Sequence, residues 1–79
     1  MRGDLVTLAL IGRIQNNDLP ELKRVIESHD PPVILDLNGV RLVDRDVVTF
    51  LADFETDNGK ITNCSPYIRE WIRRERGEP

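Results

Sequence analysis

Val33-Ile34-Leu35-Asp36-Leu37-Asn38-Gly39-Val40-Arg41-Leu42-Val43-Asp44-Arg45-Asp46 follows a double proline, Pro31-Pro32. Its first five residues are apolar except for Asp36, the length and composition of a buried strand. Asn38-Gly39 reads as a turn, and Val40, Leu42 and Val43 as a short apolar approach. Asp44-Arg45-Asp46 opens a new helical pattern. In small α/β domains, ligands and partners are commonly met where the carboxyl end of a parallel strand leads into a helix N-terminus. The functional surface is expected there.

Upstream, residues 5–11 form an apolar run of strand length, interrupted by Gly12-Arg13, and Gln15-Asn16-Asn17 is a polar loop. A helix is predicted over 18–28. Asp18 is its expected cap, Glu21 completes a capping box, and Leu19, Leu22, Val25 and Ile26 form the apolar stripe. Pro31 and Pro32 end the element, because a residue before proline leaves the helical region. His29 lies in this exit, where a histidine suits the negative end of the helix dipole better than a ligand role.

Downstream, a second helix is predicted to about residue 57, with Val47, Phe50, Leu51 and Phe54 buried and Asp53, Glu55 and Asp57 outward. Asn58-Gly59 supplies a left-handed stop. Residues 60–64 make a third, short strand. Ser65 caps a third helix over 66–76, with Pro66 in its first position and Ile68, Trp71 and Ile72 inward. Arg69, Arg73, Arg74 and Arg76 read as a solvated face, and Cys64 as a small hydrophobe at a strand end. The order β-α-β-α-β-α predicts an α/β fold with a mainly parallel sheet. Val33, Leu35 and Leu37 share a strongly apolar face opposite Ile34 and Asp36, so the helices are expected chiefly on one side.

The chain has 79 residues, one domain's worth, with a net charge of −3 and a pI of about 5.0. That balance argues against nucleic acid as the main partner. One cysteine excludes an intrachain disulfide and a cysteine metal centre. No apolar run reaches bilayer length and no signal-peptide pattern is present, so a cytoplasmic protein without a membrane partner is expected.

Leu10-Ile11-Gly12-Arg13-Ile14 resembles the entry after the second strand of STAS domains, the sulfate transporter and anti-sigma-factor antagonist family. The run from Val33 to Val40 is similar to that family's central strand and turn, and Leu42-Val43-Asp44 to the approach to its phosphorylation loop. Phe50, Leu51, Gly59 and Ile61 continue in register, and Ser65-Pro66-Tyr67-Ile68-Arg69 resembles the turn into the last helix. The likeness covers nearly the whole chain, carried by the order of its pieces rather than by any one of them. There are two departures. The family has a further strand before the one at residues 5–11, whereas only four residues precede Leu5. Its loop carries a phosphorylatable serine followed by glycine, whereas here Asp46 and Val47 follow Asp44-Arg45.

The resemblance implies a non-catalytic module that binds an anti-sigma-factor serine kinase or a related regulator. Asn38, Gly39, Arg41, Asp44, Arg45, Asp46, Val47 and Val48 would form the contact surface, together with the loop at 14–17. Asp46 has no hydroxyl to phosphorylate, so the position is degenerate as an acceptor. Its carboxylate either imitates phosphate in part or, with Asp44, simply stabilises a helix start. Asp36, Asp44 and Asp46 are the carboxylates near enough in sequence to suggest a magnesium site. With no nucleophile and only Gly39 in place of a phosphate-cradling loop, neither catalysis, a metal nor a cofactor is expected, and Asp36 is expected to bond backbone. The alternative is a small-ligand domain for nucleotides or lipids, with its pocket at the same strand ends. An uncovered first strand with no charge or proline in residues 5–11 further predicts a homodimer through that edge or the thinly covered sheet face.

Overall fold

A computed structural model describes residues 6–29 and 33–77. Strand β1 (Val6–Ile14) leads through a 3-10 turn (Asn16–Asp18) into helix α1 (Leu19–Glu27). Strand β2 (Val33–Val43), helix α2 (Arg45–Thr56), strand β3 (Lys60–Thr62) and helix α3 (Pro66–Glu75) follow. The three strands form one parallel sheet in the order β1-β2-β3. The expected α/β class and alternating element order are both present. Leu5, the Pro31-Pro32 stop and the residues before the first strand lie outside the described residues.

The largest correction concerns β2. Asn38-Gly39 is not a turn; the strand runs through it to Val43. β2 is longer than β1 because it bulges twice. From Ala9 to Ile11 on β1, β2 advances from Asp36 to Gly39, and from Gly12 to Arg13 it advances from Val40 to Leu42. The first bulge is held by a local bond, Asn38 N–H donating to Asp36 Oδ1 at 2.9 Å. At Gly39 the two strands approach closely. A Cβ there would lie 3.2 Å from Ile11 Cγ1 and 3.3 Å from the Leu10 carbonyl oxygen. β1 likewise continues past Gly12-Arg13, with Gly12 absorbing the irregularity at φ +85°.

Bulging also resets which residues face the core. Val33, Leu35 and Leu37 alternate inward, and the next inward residue is Val40, three places on. These pack in one cluster with Val47, Val48, Leu51 and Ala52 of α2 and Ile68 and Ile72 of α3. Leu8, Leu10 and Ile14 of β1 and Leu19 and Ile26 of α1 pack against that cluster. The helices therefore cover one sheet face. Thr7, Ala9, Ile11 and Arg13 project from the other and are exposed, Ile11 by 77%. Burying Leu35, Leu51, Ile68 and Ile72 completely contributes about 1.5–3 kcal/mol each.

The helix starts divide. Ser65 Oγ accepts from Ile68 N at 3.3 Å, with Pro66 first in α3, as expected. Asp18 does not cap α1. It is helical itself (φ −86°, ψ −14°), and its carboxylate accepts from Gln15 N at 2.8 Å. A cap residue must be extended, and the 3-10 turn moves that geometry back to Gln15 (φ −122°, ψ 171°). In α2, Val48 and Ala52 are buried with Val47 and Leu51, while Phe50 and Phe54 are only partly buried. The helix packs against both the sheet and α3, which widens its buried stripe. The stop after α2 falls on Asn58 (φ 73°).

The late arginines are not merely solvated: Arg73 and Arg74 lie 4.0 Å and 3.5 Å from the Glu70 carboxylate on their own helix, and the other two reach further. Arg69 donates to Glu55 Oε1 at 2.8 Å and Arg76 to the same atom at 3.2 Å, tying α3 to α2. The Arg69 hydrogen bond leads in holding the Glu55 carboxyl below its usual range, and Arg76 adds to it. Cys64 is half-buried, and desolvation raises its thiol pKa, the behaviour of a packed rather than a reactive cysteine. His29 Nδ1 lies 2.8 Å from the Val25 carbonyl oxygen, which only accepts, so Nδ1 carries the proton at the helix exit.

Candidate functional site at the start of α2

β2 delivers the chain to Asp44 in extended geometry (φ −102°, ψ 178°), the conformation an N-cap requires. Asp44 Oδ1 accepts from Val47 N at 3.0 Å. Its other oxygen, Oδ2, accepts from Asn16 N at 2.7 Å. One carboxylate thus caps α2 and fastens the β1–α1 connection to it. Asn16 Nδ2 also reaches Asp46 Oδ2, at 3.4 Å, from the other side of the same loop. Asp44 at the cap and Asp46 in the first turn suit the positive end of the α2 dipole. Beyond them, Arg45 Nε lies 3.9 Å from Glu75 Oε2, and Thr49 Oγ1 donates to Glu75 Oε1 at 3.2 Å.

The anticipated surface is only partly assembled. Asp44 and Asp46 meet Asn16, Arg45 between them is exposed, and Arg41 is exposed nearby on β2. Val47 and Val48 are not contact residues: they are 1% and 0% exposed and belong to the core. They lie on the inner side of the first turn, which is the price of anchoring α2 to the sheet. Asn38 lies back along the strand, at most about 20 Å from Asp44 at ~3.3 Å per residue, and is tied to Asp36 instead. Gly39 pairs with Ile11.

The same spacing separates Asp36 from Asp44 and Asp46. Asp36 precedes Asp44 by most of the strand and faces β3, where its Oδ1 also accepts from Asn63 Nδ2 at 3.0 Å. Its bond from the Asn38 backbone, seconded by Asn63, holds the carboxyl below its ordinary range. Among the described residues, no three His, Cys, Asp or Glu side chains gather as a metal site.

Asn16 was legible only as part of a polar loop. Its partners lie 28 and 30 residues away, and no local signal announces that. The apolar part of this end was also missed: Leu42 is 52% exposed, on the uncovered face that Ile11 shares further back along the sheet. The second bulge turns Leu42 outward, so strand periodicity alone hides it.

No helix among the described residues is long and apolar enough to cross a membrane. No family model matches the chain, and neither a curated protein nor a solved structure matches it.

Proposed function

We propose that this chain is a non-catalytic protein-interaction module, built on the STAS pattern that its sequence resembles, whose partner docks at the start of α2. The observation that carries this is the junction itself. Asp44 and Asn16 hold the α2 entry and the β1–α1 loop together, which leaves Arg45 and Asp46 presented on a braced surface. Leu42, two residues before Asp44, adds exposed apolar area beside these charges, the mixture that protein interfaces use. By the resemblance, the partner is an anti-sigma-factor serine kinase or a related regulator.

Asp46 sets the character of the proposed switch. It carries one charge and two acceptor oxygens where phosphoserine carries nearly two charges and three oxygens. The wild-type chain then sits permanently in a state that resembles modification only in part. Incubation with such a kinase and ATP tests this by intact mass. Asp46→Ser is expected to gain one phosphate and wild type none. Phosphate at this loop in the wild type overturns the reading; Thr49 is the hydroxyl to inspect first, although it is engaged by Glu75.

A further inference from the structure

We propose that the cleft between α1 and α2, at the end of the sheet opposite the α2 start, binds a small organic cation with an apolar or aromatic body. The cleft encloses about 660 Å³, within the ordinary range of small-molecule pockets. Its floor is apolar: Ile26 from α1, Val33 at the beginning of β2, and Phe50 and Phe54 from α2. The two rings stack at 6.3 Å between centroids. Phe54 in turn lies against Gly59, where any Cβ would overlap the ring, so the position of this wall is fixed by backbone.

The charge around that floor selects the ligand. Glu27, Asp53 and Asp57 line the cleft against one ammonium, Lys23, and a histidine whose Nδ1–H is already used. Among the described residues, no ion pair engages the carboxylates of Glu27, Asp53 or Asp57. α1 ends at Glu27 and α2 at Thr56, so the negative ends of two helix dipoles add to the same potential. The last turn of α2 carries no basic residue. Acids there oppose the dipole and cost the fold stability, and a bound cation offsets that cost. A cation already samples the aromatic wall: Lys23 Nζ lies 5.8 Å from the centroid of Phe50. A ligand ammonium or amidinium takes that place, its apolar body on Phe54 and Val33. Anions are disfavoured by the same field. This site is independent of the proposed partner surface at Asp44.

The test uses the full chain and amide chemical shifts, with 2-phenylethylammonium as the probe, 2-phenylethanol as its neutral isostere and 3-phenylpropanoate as the anion. Saturable shifts are expected at Ile26, Val33, Phe54 and Gly59, with the cation binding at least about tenfold more tightly than either control. Asp53→Asn/Asp57→Asn is expected to abolish that preference while raising the melting temperature, since it relieves the helix terminus; a lost preference is then not a lost fold. Lys23→Ala, which removes the resident cation, is expected to tighten binding severalfold. Equal binding of the cation and the alcohol, shifts confined to the other end of the sheet, or no saturable shift overturns the proposal.

Discussion

Replacing Asp44 by alanine removes the two bonds that make the α2 start a junction. The first is the cap on Val47 N, at 3.0 Å; loss of an aspartate cap costs about 1 kcal/mol. The second is the 2.7 Å bond from Asn16 N, charge-assisted but exposed, and worth about 1 kcal/mol after allowance for solvent. Together the loss is about 2 kcal/mol, or a fall of about 8–16 °C in melting temperature for a domain of this size. Urea denaturation followed by circular dichroism measures it. Asp44→Asn keeps a carbonyl oxygen for the cap but not both acceptors, so it should fall between the two. Asn16→Ala supplies the control. It deletes only the 3.4 Å side-chain bond to Asp46 and keeps the backbone amide, so it should cost less than about 0.5 kcal/mol. If Asp44→Ala cost no more than Asn16→Ala, the carboxylate would be an ordinary surface acid and the junction would not exist.

Gly59→Ala drives a methyl into the Phe54 ring and should destabilise by about 1–3 kcal/mol, read from the urea midpoint, whereas the ring-deleting Phe54→Ala background should relieve that clash. Glu55 has a folded pKa below its unfolded value of about 4.3, so its contribution is complete above that pH and is lost as pH falls through the lowered folded value. Glu55→Gln should therefore flatten the acid limb of a stability–pH curve; an unchanged slope would show that Arg69 and Arg76 do not engage it in solution. The outer edge of β1 has no charge before Arg13 and exposes Ile11, so sedimentation equilibrium should detect a reversible dimer that Ile11→Lys weakens. A single monomeric mass for wild type would show that the edge is closed within one chain.

What the sequence made legible was whatever local chemistry decides. Ser65-Pro66 marks a helix start and Asn58 a left-handed stop because their bonds and dihedrals involve only near neighbours. The apolar rows of β2 and α3 report the core directly. Asn38-Gly39 misled because the same dipeptide serves a turn or a bulge, and the choice rests with β1, its neighbour in space. Asp18 misled for a related reason: a 3-10 turn upstream relocated the cap. The ties of Arg69 and Arg76 to Glu55 join residues 14 and 21 apart on different helices and leave no local pattern. At the α2 start, Asp44 and Asp46 were legible as helix acids, but the Asn16 contact that joins them to the β1–α1 loop is a product of the fold.

Hydrogen exchange of the chain, alone and with a captured partner, measures the proposed docking surface most directly. Partner binding is predicted to slow exchange at Asn16, Leu42, Arg45 and Asp46, and to lose that protection, together with affinity, in the exposed double variant Arg45→Glu/Asp46→Lys. Protection confined to α3 or to the cleft between α1 and α2, with the α2 start unaffected, would contradict it.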